Sequence, residues 1–411
     1  MRCGVCLTRR LFVQFLSRNQ IWSVVLAGVL AATSASAQSL LDAINPTGAT
    51  GVERGSTELI GRVEQTSYFA TFDTFGAEDI GRSVGSVAAA LRDVAAASDQ
   101  LDVLAVLAGP VETGEEELLG FGLGYSLDAP TLGLTFFASG DASRVTLGSD
   151  EARALDVTGD QWRFSIGARG QRALAEGGKL TGVLDFSARR SEADVLGFRA
   201  LDEDLRVLRG VVAYVDGSPF GARRSASANV RVGLPLFGAS DRDNALASRR
   251  GASAGFTAAS FSADGAWPVQ PWLFLRGGLV GQFSPDSLPF SQRCGFSTNR
   301  FSRAFDRSFV NGDSCLGARQ EVAALLPAAA ATGGALAFAE AFVATDFGVL
   351  WDQPSGGADA RREGWSSLYG GLRVASSRFV AELSVSRILD GPPDRPDQDR
   401  TRVWFRGAVR F

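Results

Sequence analysis

Carboxylates are the side chains of this chain that could do acid–base chemistry, because the sequence contains no histidine. Without imidazole there is neither a histidine-based catalytic triad nor an imidazole metal site. Two acidic runs, Glu115-Glu116-Glu117 and Asp202-Glu203-Asp204, are predicted to lie at turns as solvated charge. A hydrolase that works with carboxylates alone is the enzyme class left open, and nothing favours it. The sequence therefore predicts a protein that is not an enzyme and that uses no cofactor or metal.

The amino-terminal segment, residues 1–37, has the pattern of a secretory signal peptide. Four arginines and no acidic residue precede an apolar run of twelve residues (32 − 21 + 1), from Ile21 to Ala32. Small residues follow at Ala35-Ser36-Ala37, so cleavage is expected before Gln38. The apolar run is too short to cross a membrane as a helix. Because no other run of about 20 apolar residues occurs, we expect a secreted chain without a helical anchor.

Composition favours a strand-and-turn protein in an oxidising compartment. The chain has 48 glycines, 28 phenylalanines and one methionine, which is typical of β-rich proteins. Losing four arginines with the signal peptide changes the formal net charge from −4 to −8 (−4 − 4), which argues against a nucleic-acid partner. Cys294 and Cys315 are the two cysteines left after cleavage. We expect a disulfide between them.

An alternating pattern continues to the last residue of the chain. One face of the final run carries apolar residues or glycine: Val403, Phe405, Gly407, Val409 and Phe411. The other face carries tryptophan, arginine and alanine. A period of two over about ten residues is what a tilted membrane strand needs, with apolar side chains toward lipid and polar or small ones toward a lumen. An aromatic carboxy-terminus resembles the terminal signal of bacterial outer-membrane barrels, so Phe405, Val409 and Phe411 are interpreted as an insertion signal.

Sixteen strands are predicted after a periplasmic linker, residues 38–65. To about three residues, their starts are predicted near 66, 83, 99, 117, 131, 161, 179, 205, 225, 253, 272, 320, 337, 364, 377 and 401. An even number of strands, with both ends periplasmic, closes a barrel without an exposed edge, as a bilayer demands. The expected fold is all-β: a 16-stranded antiparallel transmembrane β-barrel over residues 66–411, with a long inward-folded extracellular loop.

The longest predicted connection, residues 285–319, has the composition of a loop that holds a defined shape. It contains five phenylalanines and five arginines, and the expected Cys294–Cys315 bridge crosses it. Structureless loops longer than about 15 residues are usually functional or disordered. Five phenylalanines in water would form a large apolar patch. We therefore expect this loop to fold into the barrel lumen.

The same loop resembles a known family. Residues 288–296 (LPFSQRCGF), 299–306 (NRFSRAFD) and 312–316 (GDSCL) are similar to the sixth-loop region of two-partner secretion transporters, the haemolysin activation/secretion proteins of the outer-membrane assembly-factor superfamily. The family's loop tip is Val-Arg-Gly followed by Tyr or Phe. Here Ser302-Arg303-Ala304-Phe305 keeps the arginine and the aromatic residue. The family's second mark, Phe/Gly-x-Asp-x-Gly on the thirteenth strand, keeps its aspartate and glycine in residues 344–348 (ATDFG).

The resemblance, which extends from about residue 60 to 411, implies a translocator that moves a secreted exoprotein partner across the outer membrane. It also implies that Arg303, Phe305, Asp346 and Gly348 anchor the loop. The period-two rule independently directs Asp346 inward and Phe347 toward lipid. An arginine carried into a narrow lumen needs a carboxylate partner. We therefore expect an ion pair between Arg303 and Asp346, in a barrel that the barrel assembly machinery inserts into outer-membrane lipid.

One feature of the family is not expected here. Its members carry a plug helix and two periplasmic POTRA domains before the barrel, and these domains recognise the secreted partner. The predicted linker has 28 residues (65 − 38 + 1), too few for one domain with its own core. We expect a barrel without these domains, served by a separate POTRA protein if it secretes. The alternative is a passive diffusion channel or a structural outer-membrane barrel whose loop constricts the pore.

Overall fold

A computed structural model describes most of the predicted barrel region. The described residues are 66–74, 83–109, 117–147, 153–174, 177–217, 223–249, 251–295, 304–305, 311–327, 336, 338–354, 361–376, 378–391 and 400–411. The predicted signal peptide, the predicted linker and Arg303 lie outside them.

Strands make up almost all of the regular structure within the described residues, and they are numbered β1 to β18 in chain order. Sixteen are long: β1 (Ser67–Asp73), β2 (Ser83–Arg92), β3 (Asp99–Gly109), β4 (Leu118–Ala129), β5 (Leu134–Thr146), β6 (Thr158–Ala173), β7 (Lys179–Val195), β8 (Phe198–Gly217), β9 (Arg223–Gly233), β10 (Thr257–Gln270), β11 (Leu273–Phe283), β14 (Ser314–Leu325), β15 (Phe338–Trp351), β16 (Arg362–Ala375), β17 (Phe379–Asp390) and β18 (Thr401–Arg410). Two are short: β12 (Cys294–Gly295) and β13 (Asn311–Gly312).

The sixteen long strands of the described chain form one closed antiparallel barrel, as the sequence predicts. Each strand pairs with its neighbour in the chain, and β11 pairs with β14 across the loop that contains β12 and β13. The first and last strands close the barrel, from Phe69 opposite Arg410 to Asp73 opposite Arg406. Closure gives each of these sixteen strands a partner on both sides, which satisfies the backbone where water is absent.

Strand β15 illustrates how the sequence sorts side chains between lumen and lipid. Glu340, Phe342 and Asp346 are buried in the lumen, whereas Val343 and Phe347 face outward and are each about half exposed. Successive side chains of a strand point to opposite faces of the sheet. The predicted inward direction of Asp346 and outward direction of Phe347 are therefore confirmed.

Three predicted strand starts are wrong by more than three residues. Strand β8 begins at 198 instead of 205, β10 at 257 instead of 253, and β14 at 314 instead of 320. The early part of β8 contains the acidic run 202–204, which was predicted to lie at a turn. Polar residues on both faces hide the period-two pattern there, because the β7–β8 hairpin continues beyond the apolar band. The start of β14 was hidden because its lumen face carries cysteine, glycine and arginine.

Candidate functional site

The loop between β11 and β14, residues 284–313, is called the lumen loop, and its described part folds into the barrel. A short 3-10 helix, Phe290–Gln292, lies against the inner wall. There Arg231 of β9 donates from Nη1 to Oε1 of Gln292 at 2.8 Å. Gln282 of β11 donates from Nε2 to the carbonyl oxygen of Gln292 at 3.0 Å. For the described part of the loop, the expected inward fold is confirmed.

A disulfide joins Cys294 to Cys315, as predicted, with 6.4 Å between the two Cα atoms. Cys294 belongs to the small β12–β13 hairpin inside the loop, and Cys315 lies on the lumen face of β14. Cys294 also pairs in register with Gly312 of β13. The bridge therefore ties the loop covalently to the barrel wall. Since Ser314–Arg319 belong to β14, the loop is shorter than the predicted 285–319.

Phe305, the aromatic residue of the predicted loop tip, is buried against the inner wall. Its ring meets the indole of Trp365 on β16 edge to face, with 6.1 Å between the ring centroids. Trp365 lies over Gly348 of β15, where a Cβ atom would come within 2.7 Å of the indole Cε2. The glycine is thus required by the close approach of Trp365, which supplies the surface that receives Phe305.

Asp346 is buried on the lumen face, with 1% of its surface exposed. Arg319 of β14 lies directly opposite it in register. The hydroxyl of Tyr369 on β16 donates to Oδ1 of Asp346 at 3.4 Å. The lumen wall therefore surrounds the carboxylate with a cation and a hydrogen-bond donor. The predicted partner Arg303 lies outside the described residues, so the Arg303–Asp346 pair stays a prediction.

A network of buried ion pairs lies on the same wall, toward the end of the barrel where the chain terminates. Arg373 of β16 donates from Nη1 to Glu321 at 2.7 Å and to Glu340 at 2.8 Å, and from Nε to Glu382 at 2.8 Å. Arg276 of β11 contacts Glu321 and Glu340 at 2.8 and 2.6 Å. The guanidinium of Arg373 also covers the ring of Phe342 at 3.6 Å. Five strands are joined by these charges inside the lumen.

The predicted insertion-signal residues lie at the barrel seam and on its outer face. Phe405 and Val409 of β18 face outward, as the period predicts, and Trp404 points into the lumen. The backbone N–H of Phe411 donates to the carbonyl oxygen of Tyr68 at 3.0 Å. The terminal residue therefore takes part in closing the barrel between its first and last strands.

Sequence reasoning missed three residues that surround the predicted anchor: Arg319, Trp365 and Tyr369. Arg319 was assigned to the loop, although it is a lumen residue of β14. Trp365 and Tyr369 are four positions apart on one strand, and period two puts both on the same face. That spacing could have indicated a shared surface, but the cross-strand register that sets them beside Gly348 and Asp346 is visible only in the folded barrel.

The described part of the chain contains no group of three or more acidic, cysteine or histidine residues arranged to hold a metal ion. Within the same residues, no helix is long and apolar enough to cross a membrane.

Comparisons with solved structures agree on the barrel. CdiB from Escherichia coli matches with a TM-score of 0.70 at 17% identity, over 85% of this chain and 64% of that chain. CdiB from Acinetobacter baumannii matches with a TM-score of 0.65 at 14% identity, over 86% and 61%. BamA from Haemophilus ducreyi lacking POTRA domains 1–3 matches at 0.55 and 10% identity, over 86% and 71%. The chain thus spans less than two thirds of the CdiB chains that it resembles.

Comparison by sequence identifies the family. No curated protein matches the sequence. The family model for the haemolysin secretion/activation proteins ShlB/FhaC/HecB matches residues 62–373, which is more than half of the chain. This span includes the lumen loop, the disulfide and the strand that carries Asp346 and Gly348. The chain belongs to the ShlB/FhaC/HecB family of haemolysin secretion/activation proteins and is a β-barrel of the bacterial outer membrane.

Proposed function

We propose that this barrel moves a secreted polypeptide across the outer membrane. The observation that carries the proposal is the lumen loop, which is tied to the inner wall by the Cys294–Cys315 bridge and by the seat of Phe305 on Trp365. A loop held inside the lumen at two points can regulate passage, because the path opens only when the loop is displaced. A passive pore would be open at all times. The family consists of secretion proteins rather than enzymes, and we propose no reaction for the lumen carboxylates.

The anchor of the loop is proposed to include Arg303, Phe305, Asp346 and Gly348. Asp346 is buried opposite Arg319 and beside Tyr369, in a position where a second guanidinium could reach it from the loop. A buried carboxylate tolerates two cationic neighbours when both donate hydrogen bonds to it. Arg303 would then hold the tip through charge while Phe305 holds it through packing.

The proposed partners follow from the function and the fold. A secreted exoprotein is the cargo, and the barrel assembly machinery reads the final strand through Phe405, Val409 and Phe411. A separate POTRA protein is proposed to deliver the cargo. The proposed signal peptide, residues 1–37, would direct the chain to the periplasm, and amino-terminal sequencing of the mature protein is expected to begin at Gln38.

A secretion assay tests the proposal. In cells that lack this chain, its exoprotein cargo is expected to disappear from the medium and to accumulate in the periplasm, and the wild-type chain should restore it to the medium. Phe305→Ala should restore less, whereas Phe347→Ala, which truncates an aromatic residue on the lipid face, should restore secretion. If no exoprotein depends on the chain, the passive-channel alternative is the better description.

A further inference from the structure

Asp313 ends the lumen loop, immediately before β14, and its carboxylate is the meeting point of three connections. Its surface is fully buried. The backbone N–H of Leu288, near the start of the loop, donates to Oδ1 at 3.0 Å. The backbone N–H of Gln353, in the connection that follows β15, donates to Oδ2 at 2.7 Å. A single side chain therefore joins both ends of the loop to a neighbouring connection.

Arg249 completes this cluster from a third connection, between β9 and β10. Its Nη1 donates to both carboxylate oxygens of Asp313, at 2.5 and 2.7 Å. Its Nη2 donates to the carbonyl oxygen of Gln353 at 3.1 Å. A planar guanidinium that satisfies two acceptors on one carboxylate and a third on the backbone is held in one orientation. About a fifth of the Arg249 side chain is exposed, whereas the Asp313 side chain is fully buried.

The connection that carries Arg249 is itself fixed to the barrel. Its backbone pairs with the outer part of β8, where the N–H of Asp202 donates to the carbonyl oxygen of Leu246 at 2.9 Å. Ser248, which precedes Arg249, donates to the buried Glu203 of β8. The N–H of Phe290 in the lumen loop donates to the hydroxyl of Ser248 at 2.9 Å. Arg249 is therefore presented by a rigid support and not by a free surface segment.

We propose that Arg249 and Asp313 form an extracellular latch that holds the lumen loop closed, separately from the contacts at its tip. The inference rests on the proposed function and names Arg249 as a positioning residue for it. The latch lies at the end of the barrel opposite Phe411, where a passing polypeptide would leave. Arg293, which pairs with Asp352 and also lies 3.8 Å from Oδ1 of Asp313, makes the cluster neutral, with two cations and two carboxylates. Displacement of the loop requires the Arg249–Asp313 contact to break.

Single-channel recording of the full-length barrel in planar bilayers tests the latch. Loss of one partner of a buried ion pair is expected to raise the population of the displaced loop by about two orders of magnitude. Arg249→Gln should therefore show frequent openings to a larger conductance than wild type. Arg242→Gln is the matched control, because Arg242 lies in the same connection and is exposed. It should behave as wild type.

The double variant tests independence from the tip. Each single variant raises the opening frequency by some factor over wild type. If the latch acts separately from the tip, the factor for the double variant should be the product of the factors for Arg249→Gln and Phe305→Ala. Wild-type recordings from Arg249→Gln would overturn the proposal. So would complete failure of this variant to insert, because Arg249 would then be needed for the barrel and not for the loop. The recordings contain no cargo, so they test the latch alone. A failure of the proposed secretion role would instead be seen in the secretion assay.

Discussion

The ring of Phe305 packs edge to face against the indole of Trp365, with 6.1 Å between the ring centroids, and Trp365 in turn covers Gly348. The three residues come from the loop and from two neighbouring strands. Their stacking explains why the Asp346-x-Gly348 pattern ends in glycine. The aspartate provides charge to the lumen, and the glycine makes room for the aromatic platform on which the loop rests.

Gly348→Ala is expected to loosen the loop. The added methyl group collides with Trp365, and overpacking of this kind costs about 1–3 kcal/mol. Trp365 must shift, and Phe305 loses the surface against which it packs. Larger openings should therefore appear in planar-bilayer recordings. Gly364→Ala is the control, because the nearest atom to its Cβ would be 3.8 Å away. Equal behaviour of the two variants would contradict the stacking argument.

The disulfide is expected to be complete in the mature protein. Thiol labelling of denatured, unreduced protein should detect no free cysteine, since Cys294 and Cys315 are bridged. In the chain-entropy model, closing a loop of about 20 residues stabilises by roughly 3 kcal/mol. Cys315→Ser should therefore increase proteolysis of the lumen loop while the barrel remains folded. Two labelled thiols per chain would show that the bridge does not form.

Arg303 and Asp346 are expected to act as one unit. Arg303→Ala and Asp346→Ala should each loosen the loop, and removing one partner of a buried pair typically costs about 3–5 kcal/mol, with less expected in a wet lumen. The double variant should be no worse than either single one. Tyr369→Phe, which removes only the donor to Asp346, should have a smaller effect. Additive losses would mean that the two residues do not interact.

Arg373→Met is expected to destabilise the barrel. Arg373 is bonded to Glu321, Glu340 and Glu382, and its removal takes a bonded cation away from three buried carboxylates, of which Glu321 and Glu340 keep Arg276. The cost should be about 3–5 kcal/mol, measured as a lower midpoint in heat- or denaturant-induced unfolding. Arg144→Gln, which breaks the exposed pair with Asp160, should change the midpoint little. Similar midpoints for both variants would refute a stabilising network.

Deletion of Phe411 is expected to reduce insertion into the outer membrane. The deletion removes an aromatic terminus and the backbone bond from Phe411 to Tyr68 that helps to close the barrel. The measurement is the amount of heat-modifiable, folded barrel in outer-membrane fractions. Phe411→Tyr, which keeps both the ring and the backbone bond, should insert normally. Wild-type amounts after the deletion would rule out the terminal residue as part of the signal.

Sequence alone was sufficient for the architecture of the barrel. Alternation with a period of two is imposed by the backbone geometry of a strand and by the contrast between lipid and lumen, so it is written into the order of residues. Sixteen strands and the inward direction of Asp346 could be predicted in this way, and the Cys294–Cys315 bridge could be predicted from the compartment and the cysteine count. The pattern failed at the start of β8 and β14, because strands outside the apolar band or lined with small and charged residues do not alternate in hydrophobicity.

Only the folded barrel decided which side chains meet. The register between strands sets Arg319 opposite Asp346 and places Trp365 beside Gly348, and no local pattern specifies a register between segments that are distant in sequence. The contact of Arg249 with Asp313 joins residues 64 positions apart. Such contacts arise when closure of the barrel brings loops together over one lumen. The sequence determined which faces are apolar, and the tertiary structure determined which charges and aromatic rings hold the loop.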